Sequence, residues 1–306
     1  MPVEIICWPD VAANSLVGAA SPVGRRFGFC VPPVRGDIYA DSILDWLAYN
    51  AALAEGRATF MVYVDSTAGE RVSAILENLQ NKRYMNVSLI FWDLAPQSNP
   101  SLFAAFKNHF RVNMNGQMLA INDCMFRMIG VADWVGVFDL DEYIVGRCKE
   151  ASTLTNMFGL SGGEESVAAG YMFQSAFFDG TCKNITTVSR YPFDSTAFRG
   201  RWLPPGTRSK MFADPRFTYV QGIHHTHSSV NQHRGVQDQR LLAAPRMPAC
   251  VVVPKKVGAL HHYRYLPKEK RNVRECVVSD DLFLDTSAFD ETPECRTVAS
   301  HNNGLF

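Results

Sequence analysis

Between Phe27 and Val145 the chain alternates short apolar runs with stretches of helical period. The runs "FGFCV" (27–31), "ATFMVYV" (58–64), "VSLIFW" (87–92) and "WVGVFDL" (134–140) are apolar at almost every position, the pattern of strands covered on both faces. Between them "DSILDWLAYNAAL" (41–53) predicts a helix capped by Asp41 with Ile43, Leu44, Leu47 and Ala51 on one face. "ERVSAILENL" (70–79) and "QMLAINDCMFRMIG" (117–130) predict two more. Strands that alternate with helices imply a parallel sheet with helices packed on it, an α/β layout of the nucleotide-binding type. Ligands of such sheets sit beyond the carboxyl ends of the strands. Each of the four strands ends in polar residues: Arg35 and Asp37, then Asp65-Ser66-Thr67, then Asp93, then Asp139 and Asp141.

After Val145 the pattern loosens. "VAAGYMFQSAFF" (167–178) predicts one or two strands, 190–210 is rich in loop residues, and "FTYVQGIHHTHS" (217–228) and "VGALHHYRY" (257–265) are apolar runs that end in histidines. No repeat, linker or low-complexity tract divides the chain. A single domain over 1–306 is expected, with a nucleotide-binding half at 25–145, a mixed α/β acceptor-binding and catalytic half at 146–270, and a tail at 271–306 of no predicted structure.

Composition narrows the class. The 306 residues carry 30 basic and 30 acidic side chains, so a nucleic-acid binder's general attraction for phosphate has no global source. No run reaches the eighteen or so apolar residues of a membrane span. The first 24 residues hold Glu4, no basic residue and a Pro9-Asp10 interruption, and make a poor signal peptide; a cytoplasmic protein is expected. The eight cysteines contain no C-x-x-C pair, which argues against a zinc ribbon or redox motif and predicts buried thiols. Two N-x-S/T sequons, at Asn86 and Asn184, read as chance without an export signal.

The candidate chemistry lies in "WVGVFDLDEYIVG", where Asp139, Asp141 and Glu142 crowd into four positions after an apolar strand. On an extended chain the two aspartates point the same way, roughly 6–7 Å apart. Their repulsion, about 3 kcal/mol at an effective dielectric near 20, calls for a proton or a cation between them. Hard oxygen donors favour Mg2+ or Mn2+ over zinc. Two enzyme classes use such a strand end. A sugar-nucleotide transferase holds a divalent ion there against the donor diphosphate. In a haloacid-dehalogenase-type phosphatase Asp139 would attack phosphorus and Asp141 act as acid and base, with "VVSDD" (277–281) as a second acidic pair. That nucleophile strand normally opens its domain, whereas three strands precede this one. A metal-stabilised glycan-binding protein is the non-enzymatic reading.

Taken together, "DWLAYNAAL", "YVDSTAGERVSAIL", "INDCMFR", "WVGVFDLDEYIV", "SKMFADPRFTYVQGIHH" and "LHHYRY" resemble, in this order over residues 27–266, the blocks of glycosyltransferase family 92. The resemblance implies a GT-A fold and metal-dependent, inverting transfer from a UDP-sugar, often UDP-galactose, to a glycan hydroxyl. It implies Mn2+ or Mg2+ held by Asp141 as a direct ligand and by His224, with Asp139 near the ribose or the metal, His225 and His227 as competitors and Glu142 supporting the strand end. Arg35 lies at the same edge, Asp65 would meet the uridine, and Lys210, Arg264 and Arg127 would offset diphosphate charge. An inverting reaction also needs a general base. Asp179, in "FFDG", is the first candidate, with Asp194 and Asp238 open. Galactose is the expected sugar; xylose and glucose fit the same acids.

Overall fold

The structure, a computed structural model, describes residues 24–82, 85–92, 116–162, 170–179, 198–199, 201–224, 226–229, 250–264 and 283–284. The first half follows the predicted alternation: β1 (Phe27–Gly36), α1 (Ile43–Leu53), β2 (Ala58–Ala68), α2 (Glu70–Lys82), β3 (Val87–Trp92), α3 (Gln117–Arg127) and β4 (Trp134–Val137). It continues through β5 (Glu142–Gly146), α4 (Leu154–Gly162), β6 (Gly170–Phe173), β7 (Ser175–Asp179), β8 (Phe198–Arg199) and β9 (Lys210–Ala213). Last come β10 (Thr218–Gln221), β11 (Thr226–Ser229), β12 (Val251–Val252), β13 (Gly258–Arg264) and β14 (Phe283–Leu284).

Seven strands form one sheet in the order β12-β6-β9-β4-β1-β2-β3. β1 to β4 are mutually parallel where they pair, as their two-sided apolar runs require, but β9 enters antiparallel to both β4 and β6. The sheet is therefore mixed, and it recruits strands from beyond residue 145. A second sheet, β14-β8-β7-β13-β5, takes the chain directly from β4.

Side-chain alternation sorts the two faces of the large sheet. Phe27, Phe29 and Val31 of β1 and Phe60, Val62 and Val64 of β2 point into a cluster with Trp46, Leu47, Leu76 and Phe158 of α1, α2 and α4. Cys30, Met61 and Tyr63 point the other way, against Ile121, Cys124 and Met125 of α3. The first cluster runs on into the second sheet through Tyr143, Ile144, Leu260 and Tyr263. Gly136 of β4 is required by close approach, since a Cβ there would lie 2.3 Å from Phe138 and 2.9 Å from Phe212.

Three local expectations are corrected. α1 starts after Ser42 without a side-chain cap, because Asp41 is drawn into an ion pair with Arg71 at 2.6 Å. Its buried face is Ile43, Trp46, Leu47, Asn50 and Leu53, while Leu44 stays 43% exposed. The cysteines are the third. Cys30 and Cys124 form a disulfide across the β1–α3 interface, and Cys148 is also disulfide-bonded; only Cys250 is a free thiol among the described residues. A bridge between cysteines 94 residues apart removes about 4–5 kcal/mol of unfolded-chain entropy in the loop-closure treatment, an upper figure. Replacing both Cys30 and Cys124 by alanine is thus expected to lower the unfolding free energy by about 2–4 kcal/mol, measured by urea titration against the oxidised protein. No helix among the described residues is long and apolar enough to cross a membrane.

Candidate active site

The parallel strands deliver their carboxyl ends to one edge, and there the acidic run departs from its expected geometry. β4 stops at Val137, and Phe138 to Asp141 form a turn in which the Glu142 N–H donates to the Asp139 carbonyl at 3.1 Å. The two aspartates therefore do not project side by side from an extended chain. The Glu142 carboxylate returns to accept the Asp139 N–H at 2.9 Å, closing the turn from both directions.

What holds this turn is a buried lysine. Lys210 opens β9 and is fully buried, with Nζ 2.8 Å from Glu142 and 3.2 Å from Asp139. Burial opposes its charge, but Asp139 and Glu142 outweigh that and hold its pKa above the ordinary lysine value. Burial pushes the Glu142 carboxyl up to about 7, raised further by Asp139 and opposed by Lys210. Sequence reading assigned Lys210 to the diphosphate; the structure places it beneath the acids as their internal counter-cation, out of reach of solvent.

Asp141 is left in a different state. Its Oδ1 is buried with no hydrogen-bond partner among the described residues, and its Oδ2 lies 3.6 Å from His262 Nε2. His262 stands on β13 directly across from Glu142 of β5, and its Nδ1 is 3.5 Å from the Glu142 carboxylate. Burial works against the imidazolium, yet Asp141 and Glu142 prevail and raise its pKa. His262 is a site residue that sequence reading missed; the signal available was the histidine pair at the end of an apolar run.

The backbone around the acids is anchored from three sides. Trp46 of α1 donates its indole N–H to the Glu142 carbonyl at 2.8 Å, Tyr49 its hydroxyl to Ile144 at 2.6 Å, and the Tyr263 N–H reaches the Asp141 carbonyl at 2.8 Å. On the far face, Asn122 of α3 exchanges two hydrogen bonds with the backbone of Gln221, at 2.9 and 3.0 Å, as a neighbouring strand would. Gln221 immediately precedes Gly222-Ile223-His224, so α3 positions the histidine segment. Burial, with Lys210 and Arg208 nearby, drives the His224 pKa down to about 4, and its Nδ1 is buried without a partner among the described residues.

Beside the turn a cleft of about 360 Å³ opens at the carboxyl end of β1, walled by Val31, Pro32, Val34, Tyr39, Leu140 and Asp139. Arg35 and Gln117 also face it. The chain's sequence matches the model of glycosyltransferase family 92 over residues 25–292. The chain belongs to glycosyltransferase family 92. It is also similar to the galactan beta-1,4-galactosyltransferase GALS2 of Arabidopsis thaliana, 21% identical over 196 residues, which cover 64% of this chain and 35% of that protein. The chain thus spans about a third of the length of the curated relative it matches.

Within this family 92 chain the other expected site residues divide. Arg35 reaches the cleft and is steadied by Asp65 at 3.7 Å. Asp65 itself is buried; its Oδ1 accepts from the Thr67 N–H at 2.8 Å and hydroxyl at 2.7 Å, which organises the end of β2. Arg127 is not brought to the site. It occupies the last turn of α3, paired with Asp123 at 2.7 Å, whereas it is the first turn of that helix, at Gln117, that meets the cleft. Asp179 and Arg264 are brought together as register partners at the ends of β7 and β13. His225, Asp194, Asp238 and the 277–281 acids lie outside the described residues, as does Asp93.

Family 92's "INDC" block also acquires physical content here. Asn122 clamps Gln221, Asp123 accepts the Tyr63 hydroxyl, and Cys124 bonds Cys30. Three successive side chains fasten α3 to three different strands.

Proposed function

We propose that the protein is a divalent-metal-dependent, inverting glycosyltransferase that moves a hexose or pentose from a UDP-sugar to a hydroxyl of a glycan acceptor within a GT-A-type fold. Galactose is the first expectation, supported by the galactosyltransferase name of the Arabidopsis relative, and xylose or glucose fit the same acids. The observation that carries the reading is the contrast between the acids. Asp139 and Glu142 already have a cation in Lys210, while Asp141 presents a buried oxygen that the described protein leaves unpaired.

The donor set fits Mn2+ or Mg2+. Among the described residues no three His, Cys, Asp or Glu side chains gather into a preformed cage, and such ions commonly bind through one or two carboxylates together with substrate phosphates and water. Asp141 would supply the direct ligand, with the part-exposed carboxylate of Asp139 and the neutral imidazole of His224 beside it. When bound, the ion would neutralise charge on the departing diphosphate. The protein's own work is then to hold and orient. Arg35, fixed by Asp65, faces the cleft as a cation for phosphate oxygens, and Arg264 at the end of β13 is a second candidate. Asp179 would take the proton of the acceptor hydroxyl as its oxygen bonds to the anomeric carbon and the bond to UDP breaks on the opposite face.

The disulfides bear on where this happens. Such bonds persist in oxidising compartments and are rare in the cytosol, so they favour maturation in an oxidising compartment over the expected cytoplasmic setting. The test of the function is incubation of the purified protein with a panel of UDP- and GDP-sugars, with Mn2+ and with chelator. Slow metal-dependent release of UDP from UDP-galactose is expected. Absence of turnover and of binding for every nucleotide sugar would refute the proposal, and hydrolysis of a generic phosphate ester would favour the phosphatase.

A further inference from the structure

We propose that Gln117 reads the base of the donor nucleotide, its side-chain oxygen accepting the ring N–H of uracil and so selecting uridine over cytidine nucleotides. The inference rests on the reading of the cleft as a nucleotide-sugar site and goes beyond it by naming the residue that chooses the base.

Gln117 is the first residue of α3 and is only 6% exposed. Its Oε1 is buried with no hydrogen-bond partner among the described residues, and the residue lines the cleft that Asp139 closes. A buried amide oxygen without a donor is unfavourable, and a ligand that brings an N–H removes that cost. Of the other polar side chains on the cleft wall, Arg35 is tethered by Asp65 and suits phosphate oxygens, Asp139 is tethered by Lys210, and Tyr39 is already engaged within the protein. The remaining wall is Val31, Pro32, Pro33, Val34, Ile38 and Leu140, an apolar surface suited to a flat heterocycle. A neutral acceptor set in apolar surroundings recognises a neutral ring N–H. Uracil carries one at N3, flanked by carbonyls; cytosine has a lone pair at that position and, with the amide oxygen turned inward as it is here, would set two acceptors against each other. Sites built around one hydrogen bond reject an analogue that cannot make it, because the protein group is then left unpaired.

Calorimetric titration of UDP and CDP, each with Mn2+, into the wild-type chain and Gln117→Leu is the test. The wild type is expected to bind UDP roughly 10- to 100-fold more tightly than CDP, and Gln117→Leu to lose most of that gap by weakening UDP alone. N3-methyl-UDP titrated into the wild type gives the same answer without a substitution, and is expected to bind roughly 10-fold or more weaker than UDP. Equal wild-type binding of UDP and CDP, a gap that survives in Gln117→Leu, or undiminished binding of N3-methyl-UDP overturns the role of Gln117. If that happens while UDP-sugar turnover persists, the transferase reading stands; if no nucleoside diphosphate binds, both fall.

Discussion

Replacing Lys210 by methionine is expected to cost about 3–5 kcal/mol of folding stability, the loss typical of removing one partner from a buried ion pair. Methionine nearly fills the volume, so the loss reports charge rather than packing. Without the ammonium, Asp139 and the fully buried Glu142 keep only the His262 imidazole, 3.5 Å from Glu142, to offset their charge, and Glu142 answers by taking a proton. The sign follows from linkage. In the folded protein burial already raises this carboxyl to about 7, and removing Lys210 raises it further, whereas in the unfolded chain it titrates near the ordinary glutamate value. Above that ordinary value the folded state binds the extra proton, so stability falls as pH rises. Urea titrations of Lys210→Met should therefore show a smaller loss at pH 5 than at pH 8. An equal loss at both would mean that Glu142 does not carry the proton.

Asp141→Asn is expected to leave the fold intact and abolish transfer. The residue's backbone carbonyl still accepts from the Tyr263 N–H whatever the side chain, and the charge withdrawn from His262, 3.6 Å away, is set against one negative charge fewer in a crowded turn where Glu142 remains beside that imidazole. Its unfolding midpoint should therefore stay close to the wild-type value. Turnover should fall about 1000-fold or more, the scale of losing one preorganised electrostatic contact to the reacting charge. Asp139→Asn should behave in the opposite sense on stability, because it strips a partner from a buried lysine. A steady-state assay paired with a melting curve separates the two. Equal loss of stability in both variants would contradict the division of labour between these acids.

The sequence was most informative where one rule acted alone. The β1–β4 runs are apolar on both faces because helices cover both faces, and that pattern is local, so their existence and parallel direction could be read directly, though not their order in the sheet. It was least informative where a distant residue decided the outcome. "WVGVFDLDEYIVG" looks like one strand, since its hydrophobicity barely drops; it breaks at Phe138 around Lys210, 71 residues after Asp139. Leu44 rather than Trp46 looks like the inward residue of α1, yet Trp46 wins because its N–H finds the Glu142 carbonyl, 96 residues away. Disulfide pairing has no spacing rule that could link Cys30 to Cys124. The site was legible as an edge and as a set of acids, but their roles depended on which acid already had a cation. The Asp123–Arg127 pair, by contrast, stands at helical i, i+4 spacing, a local signal that Arg127 was already engaged.

Asp141, and not the Lys210-paired Asp139, is proposed as the side chain through which this site grips a divalent ion against a nucleoside diphosphate. Electron paramagnetic resonance of Mn2+ titrated with the protein and UDP addresses it directly, because bound ion disappears from the free-ion signal. UDP-dependent uptake of Mn2+ is expected for the wild-type chain and none for a folded Asp141→Asn variant. Undiminished uptake by that variant, or no uptake by the wild type, would contradict it.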